Sequence, residues 1–151
     1  MTLHVDHKLG KEVTVSAGDV PIATYVYVPD TVRLESPKPY LHPLRTLAGD
    51  LVSLFRPHDH VWHKGIAWSL PHLGEHNFWG GPTYVHGQFY VQKENNGSAL
   101  HRDMTSLTVD GDTAALTHTL DWRSQQGAPV VDETRSLTFT LIDETSWALR
   151  F

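Results

Sequence analysis

His58, His60 and His63 fall within six residues of one another, with Asp59 and Trp62 among them. Imidazole titrates near neutral pH and can give or take a proton, so this cluster suits acid–base chemistry. Opening a sugar hemiacetal needs one group to protonate the ring oxygen and another to take the proton of the anomeric hydroxyl. His60 and His63 are the candidates for those roles, with Asp59 placed to orient an imidazole. The surrounding stretch, Arg56–Gly81, holds five of the eleven histidines and three of the five tryptophans. Trp62, Trp68 and Trp79 could stack on the apolar face of a sugar. The plainer alternative is that the tryptophans fill a core and the histidines bond loop carbonyls. A metal site is a further reading: His58 and His60 on extended backbone would project to one face, and His63 would close a three-nitrogen set.

His42 precedes Pro43, which holds its backbone extended, and Arg45 lies three residues on with a planar fork for a hydroxyl or carboxylate. Either could serve a site or anchor a loop. His118 shares an apolar face with Leu116, Leu120 and Trp122, where a satisfied core histidine is the ordinary reading. Glu133 and Arg135 share the face of Leu137 and read as an ion pair at a sheet margin. His72, His76, His86 and His101 read as solvated or loop-bonding. The nucleophile elbow, the P-loop and the Gly-x-Gly-x-x-Gly fingerprint are absent, which argues against serine hydrolases, NTPases and dinucleotide enzymes.

The elements that must carry these residues are strands. Glu12–Ser16 and Ile22–Val28 are β-rich and flank the turn Ala17-Gly18-Asp19. Leu51–Phe55 and Gly65–Leu70 read as short strands between Gly/Pro-punctuated loops, and Phe89–Gln92 as another. Thr105–Val109 and Thr113–Trp122 form a hairpin around Asp110-Gly111, because Asp-Gly accepts the positive φ of tight turns. Val131–Ile142 and Thr145–Phe151 alternate in the same way. No segment sustains a helical period. An all-β antiparallel sandwich follows, as one domain over residues 1–151. The last strand still alternates at Phe151, so the expectation is part of a longer sandwich, with an open edge that could pair with a second copy.

Composition narrows the classes. A chain of 151 residues can bury a real core, and 40% hydrophobic with 19% charged residues are globular values. A net charge of -5 without a Lys/Arg cluster argues against nucleic acid. With no cysteine there is no disulfide framework, thiol nucleophile or cysteine-ligated metal. The N-terminus lacks a signal-peptide run and no segment reaches membrane-helix length, so a soluble, cytoplasmic protein is the expectation.

Three strings, P-Y-L-H-P-L-R-T-L-A-G-D from Pro39, D-H-V-W-H-K-G-I-A-W-S-L from Asp59 and N-F-W-G-G-P-T-Y from Asn77, resemble the bacterial PmoA family. That label is borrowed from methane oxygenase, whose membrane subunit needs transmembrane helices. The resemblance implies a galactose-mutarotase-like β-supersandwich and a sugar-metabolism setting, with a late catalytic carboxylate in the missing part. Its motif positions fall on His42, Arg45, Asp59, His60, His63, Asn77 and Trp79; His58 lies outside them. The resulting expectation is a pocket for a sugar or sugar derivative. His60, His63 and Asp59 are its chemical core, and His42, Arg45, Trp62, Asn77 and Trp79 bind the ligand, with no metal or cofactor assigned. The alternatives are a non-catalytic carbohydrate-binding or assembly domain and a His-ligated metal enzyme.

Overall fold

In the computed structural model, which describes residues 1–151, ten strands make two four-stranded sheets and a two-stranded ribbon. The first sheet is β1 (Leu3–Lys8), β2 (Glu12–Ala17), β3 (Val20–Val26) and β4 (Tyr40–Leu44), in that order and antiparallel throughout. The ribbon pairs β5 (Thr83–Val85) with β6 (Phe89–Val91). The second sheet holds β7 (Ser98–Asp110), β8 (Thr113–Arg123), β9 (Pro129–Leu141) and β10 (Trp147–Arg150), in the order β10-β9-β8-β7, again antiparallel. No helix is long and apolar enough to cross a membrane.

Strict alternation in β2, β8 and β9 explains how the sheets meet, because successive side chains point to opposite faces. Val13, Val15 and Ala17 from β2 face Ala114 and Leu116 from β8 and Leu137, Phe139 and Leu141 from β9, in one buried cluster. A smaller cluster of Phe78, Ala99, Leu120 and Trp122 lies apart from it, beneath the long loops, with Leu70 and Leu73 against it. The antiparallel all-β sandwich of the sequence reading therefore holds.

Between the sheets runs a polar seam. The His118 Nε2 atom lies 2.8 Å from the Tyr25 hydroxyl and its Nδ1 lies 3.0 Å from Nδ1 of His101, one of that pair donating to the other. Arg135 donates to the Tyr25 hydroxyl at 3.2 Å and to both carboxylate oxygens of Glu133 at 2.7 and 2.9 Å, and the Trp122 indole donates to Glu133 at 2.7 Å. Every buried polar group in the seam thus has a partner, as a low-dielectric interior demands. Burial pushes the His118 imidazole down to about 3, helped by Arg135 and His101, and pushes the Tyr25 phenol up to about 12. The Glu133–Arg135 pair expected at a sheet margin is real, but Arg135 is buried and spans the sheets.

Two expected strands do not form. Leu51–Phe55 and Gly65–Leu70 are loops tied by single bridges, Arg45 to Leu51, Phe55 to Lys64 and Leu41 to Ile66. Gly65 turns at φ +56, and a Cβ there would meet the Leu41 carbonyl, so the chain lies too close and too bent to continue a ladder. In the opposite direction, β1 and β5 were hidden in the sequence, and β7 begins at Ser98 rather than Thr105. The Leu100-His101-Arg102-Asp103 run masks that start, because an edge strand with register shifts tolerates polar residues on its open side.

Candidate functional site

The His/Trp stretch is shaped by turns rather than by extended backbone. The His60 amide donates to the Pro57 carbonyl and the His63 amide to the His60 carbonyl, both at 2.9 Å. The Arg56 amide closes the loop on the His63 carbonyl at 2.8 Å. The turns bring the His60 and His63 rings together, with centroids 5.2 Å apart and planes at 27°. His60 Nδ1 lies 3.2 Å from the Asp59 carboxylate, and both side chains are well exposed. The same turned backbone removes the extended geometry a His58–His60–His63 metal set requires. No group of three or more His, Cys, Asp or Glu side chains is arranged to hold a metal ion.

Trp79 meets the edge of His63 at 5.3 Å between centroids and 81° between planes. Its position depends on the two glycines after it. Gly80 and Gly81 have φ of +112° and +65°, and a Cβ on either would come within 2.6 Å of the Trp62 side chain. Glycine is required here both for the left-handed backbone and for the close approach of the indole. Asn77 fixes the other side of this turn. Its side-chain oxygen accepts from the Trp79 and Gly80 amides at 2.8 and 3.0 Å, and its amide nitrogen donates to the Gly81 carbonyl and the Thr83 hydroxyl at 3.2 and 3.1 Å.

These residues bound a cavity of about 620 Å³, within the range of small-molecule sites. His60, His63 and His72 supply imidazoles to its lining, and Trp62 and Trp79 supply indoles. The β5–β6 ribbon adds Tyr84 and Tyr90, paired across its strands with centroids 5.5 Å apart. No aspartate or glutamate lines it. Partial burial pushes the His63 imidazole below its ordinary value, and His60 and Lys38 push in the same direction while Asp59 opposes them. His63 is therefore neutral at pH 7 and able to accept a proton.

The structure separates the expected binding residues into two groups. Trp62, Asn77 and Trp79 join His60 and His63 at the cavity. His42 and Arg45 do not reach it. The His42 ring stacks on Phe55 at 5.0 Å and its Nδ1 lies 2.8 Å from the Ser53 hydroxyl, while Arg45 donates to the Gly49 carbonyl at 3.0 Å. Both hold the loop after β4. Asn77 lines the cavity, yet all its hydrogen-bonding capacity is spent on backbone and Thr83, so it shapes the site. Asn77→Ala, which orphans two loop amides, is expected to cost about 2 kcal/mol and to red-shift the tryptophan emission as Trp79 loosens toward water. A stability change within error in denaturant unfolding would show that the loop holds itself without it.

Sequence reasoning missed the charged cluster that backs this site. Glu35, buried at 4% exposure, accepts from Arg56 at 2.6 Å and from Lys64 at 2.5 Å. Lys38, also buried, donates to the carbonyls of Ser36 at 3.0 Å and Trp79 at 2.8 Å. These residues are far apart in the chain, and Glu35 and Lys38 sit in a Pro-containing connection that reads as a linker.

A model of a family of unknown function, DUF6807, matches residues 12–151, which include every residue of the cavity and of the charged cluster. The chain belongs to this family. No curated protein and no solved structure matches it. Membership of DUF6807 brings no activity with it, so function must be argued from the site.

Proposed function

We propose that this DUF6807 chain binds a carbohydrate or sugar derivative in the cavity beside Trp79, with acid–base chemistry at the anomeric centre. The observation that carries the reading is the pair of imidazoles, 5.2 Å between centroids, opening into a cavity walled by two tryptophans and two tyrosines. One aromatic wall can stack a pyranose face while both imidazoles reach the same end of the ring. His63, neutral, takes the proton of the anomeric hydroxyl; His60, oriented by Asp59, gives a proton to the ring oxygen. The bond between the anomeric carbon and the ring oxygen then breaks and an aldehyde forms, with the protons balanced between the two imidazoles. The motif resemblance to the PmoA family and its mutarotase-like supersandwich supports the same class of ligand.

A non-catalytic carbohydrate-binding domain is the rival reading. It is favoured by the exposure of His60 and Asp59, whose side chains are 50% and 60% accessible, where water screens their interaction. Calorimetric titration with a hexose panel, together with polarimetry of anomer interconversion, separates the two. Trp79→Ala is expected to weaken binding about tenfold, and His60→Ala or His63→Ala to slow interconversion about a hundredfold with binding retained. Unchanged interconversion in both histidine variants leaves the binding-domain reading, and unchanged binding in Trp79→Ala places the ligand elsewhere.

A further inference from the structure

The charge behind the cavity is out of proportion for an acidic chain. Lys38, Arg56 and Lys64 gather around the single carboxylate of Glu35, while the protein as a whole carries -5. Glu35 satisfies Arg56 and Lys64, but every hydrogen bond of the Lys38 ammonium goes to a backbone carbonyl. A buried cation without a carboxylate partner costs stability, and the site keeps one directly against the cavity wall. Trp62 is the shared partition. It lines the cavity on one side and, on the other, a small void of about 10 Å³ bounded also by Glu35, Lys38 and Lys64. Trp79, on the same cavity wall, takes the shortest hydrogen bond of Lys38 on its carbonyl. On the cavity side there are three imidazoles and no carboxylate. Asp59, next to the cavity residue His60, is engaged with it.

We propose that the ligand of this cavity is an anionic sugar, one bearing a carboxylate or a phosphate. The sugar ring stacks on Trp79, and its anion lies toward the imidazoles and the positive wall behind Trp62. This rests on the carbohydrate reading above and adds to it the sign of the ligand's charge. Burial, with Lys64 beside it, lowers the Lys38 amine to about 7 while Glu35 opposes the shift. The positive wall, which faces the cavity-side imidazoles of His60, His63 and His72, is therefore fuller at pH 6 than at pH 8.5. The charged groups packed with Lys38 are Lys64, whose amine burial lowers against the pull of Glu35, and Glu35, whose carboxyl burial would raise but hydrogen bonds from Arg56 and Lys64 hold below its ordinary value.

The test is calorimetric titration of the intact chain at pH 6.5 and low salt with hexoses, hexuronates, hexose phosphates, acetate and inorganic phosphate. Acidic sugars are expected to bind about tenfold more tightly than neutral ones, with the advantage shrinking at 0.5 M salt as charges are screened. It should also fall as the pH rises from 6 to 8.5. The uronate and phosphate arms then say which anion the site prefers. Neutral and acidic hexoses binding alike would overturn the proposal and leave the carbohydrate reading standing. Acetate or phosphate binding as tightly as any sugar would overturn both, as would no binding across the panel. Arg56→Gln, whose side chain is 45% exposed and replaceable without burying a new group, should cut the preference for acidic sugars several-fold and spare neutral ones. Lys38→Met should do the same if circular dichroism shows it folded. An unchanged preference in a folded Arg56→Gln and Lys38→Met pair would sink the assignment.

Discussion

Glu35→Ala lowers the unfolding free energy by about 3–5 kcal/mol, because it leaves the buried Lys64 without its counter-ion. The pair is 4% and 8% exposed, so water cannot take the place of the lost carboxylate. Burial alone would push the Glu35 carboxyl up, but hydrogen bonds from Arg56 and Lys64 outweigh it and hold the group below its ordinary value. A depressed carboxyl stabilises the fold above its unfolded value and loses that contribution as pH falls through its folded value. Denaturant unfolding of Glu35→Ala and of Glu35→Ala with Lys64→Met separates the lost pair from the stranded charge. The double variant should recover much of the loss, since an apolar replacement of a buried pair is often tolerated. A single variant within 1 kcal/mol of the parent would show that the lysine reaches water when Glu35 is gone.

Acid should be the second strong lever. His118 has no exposed surface and is held neutral, at about 3, whereas in the unfolded chain it titrates at its ordinary value. The unfolded state therefore binds the extra proton first, and the stabilisation present above about pH 6.5 drains away as pH falls toward 3. Between pH 7 and pH 4 the loss is about 3 kcal/mol from this residue. Its neighbours reinforce the effect, because Arg135 and His101 are both positive or potentially positive across the short contacts of the seam. His118→Gln keeps a donor and an acceptor but cannot titrate, so its pH profile over that window should be flatter than the parent's. Parallel profiles would place the acid sensitivity elsewhere.

Legibility in the sequence followed distance along the chain. The β7–β8 hairpin was plain because Asp110-Gly111 and the alternation of Leu116, His118, Leu120 and Trp122 are local signals. Leu51–Phe55 was misread for the opposite reason. Its apolar run mimics a strand, yet Val52 and Leu54 are 63% and 76% exposed and no partner ladder accepts them. At the site, Asp59, His60 and His63 were readable because three residues of turned backbone are enough to bring them together. The turn itself was not readable, and it is what sets the two rings side by side. Glu35 and Lys64 lie 29 residues apart, and Tyr25 and Arg135 lie 110 apart. No local pattern announces such pairs, which exist only once the sheets have closed over them.

Every residue that lines the cavity lies between His60 and Tyr90, one continuous run of chain. The main core that holds the two sheets together draws on none of it. The cavity lining and the main core are thus drawn from separate parts of the chain. Substitutions at exposed lining positions such as Tyr84 and Tyr90, 47% and 71% exposed, can reshape the cavity while the main core stays intact, whereas Asn77 and Phe78 in the same run also hold the loops and the smaller core.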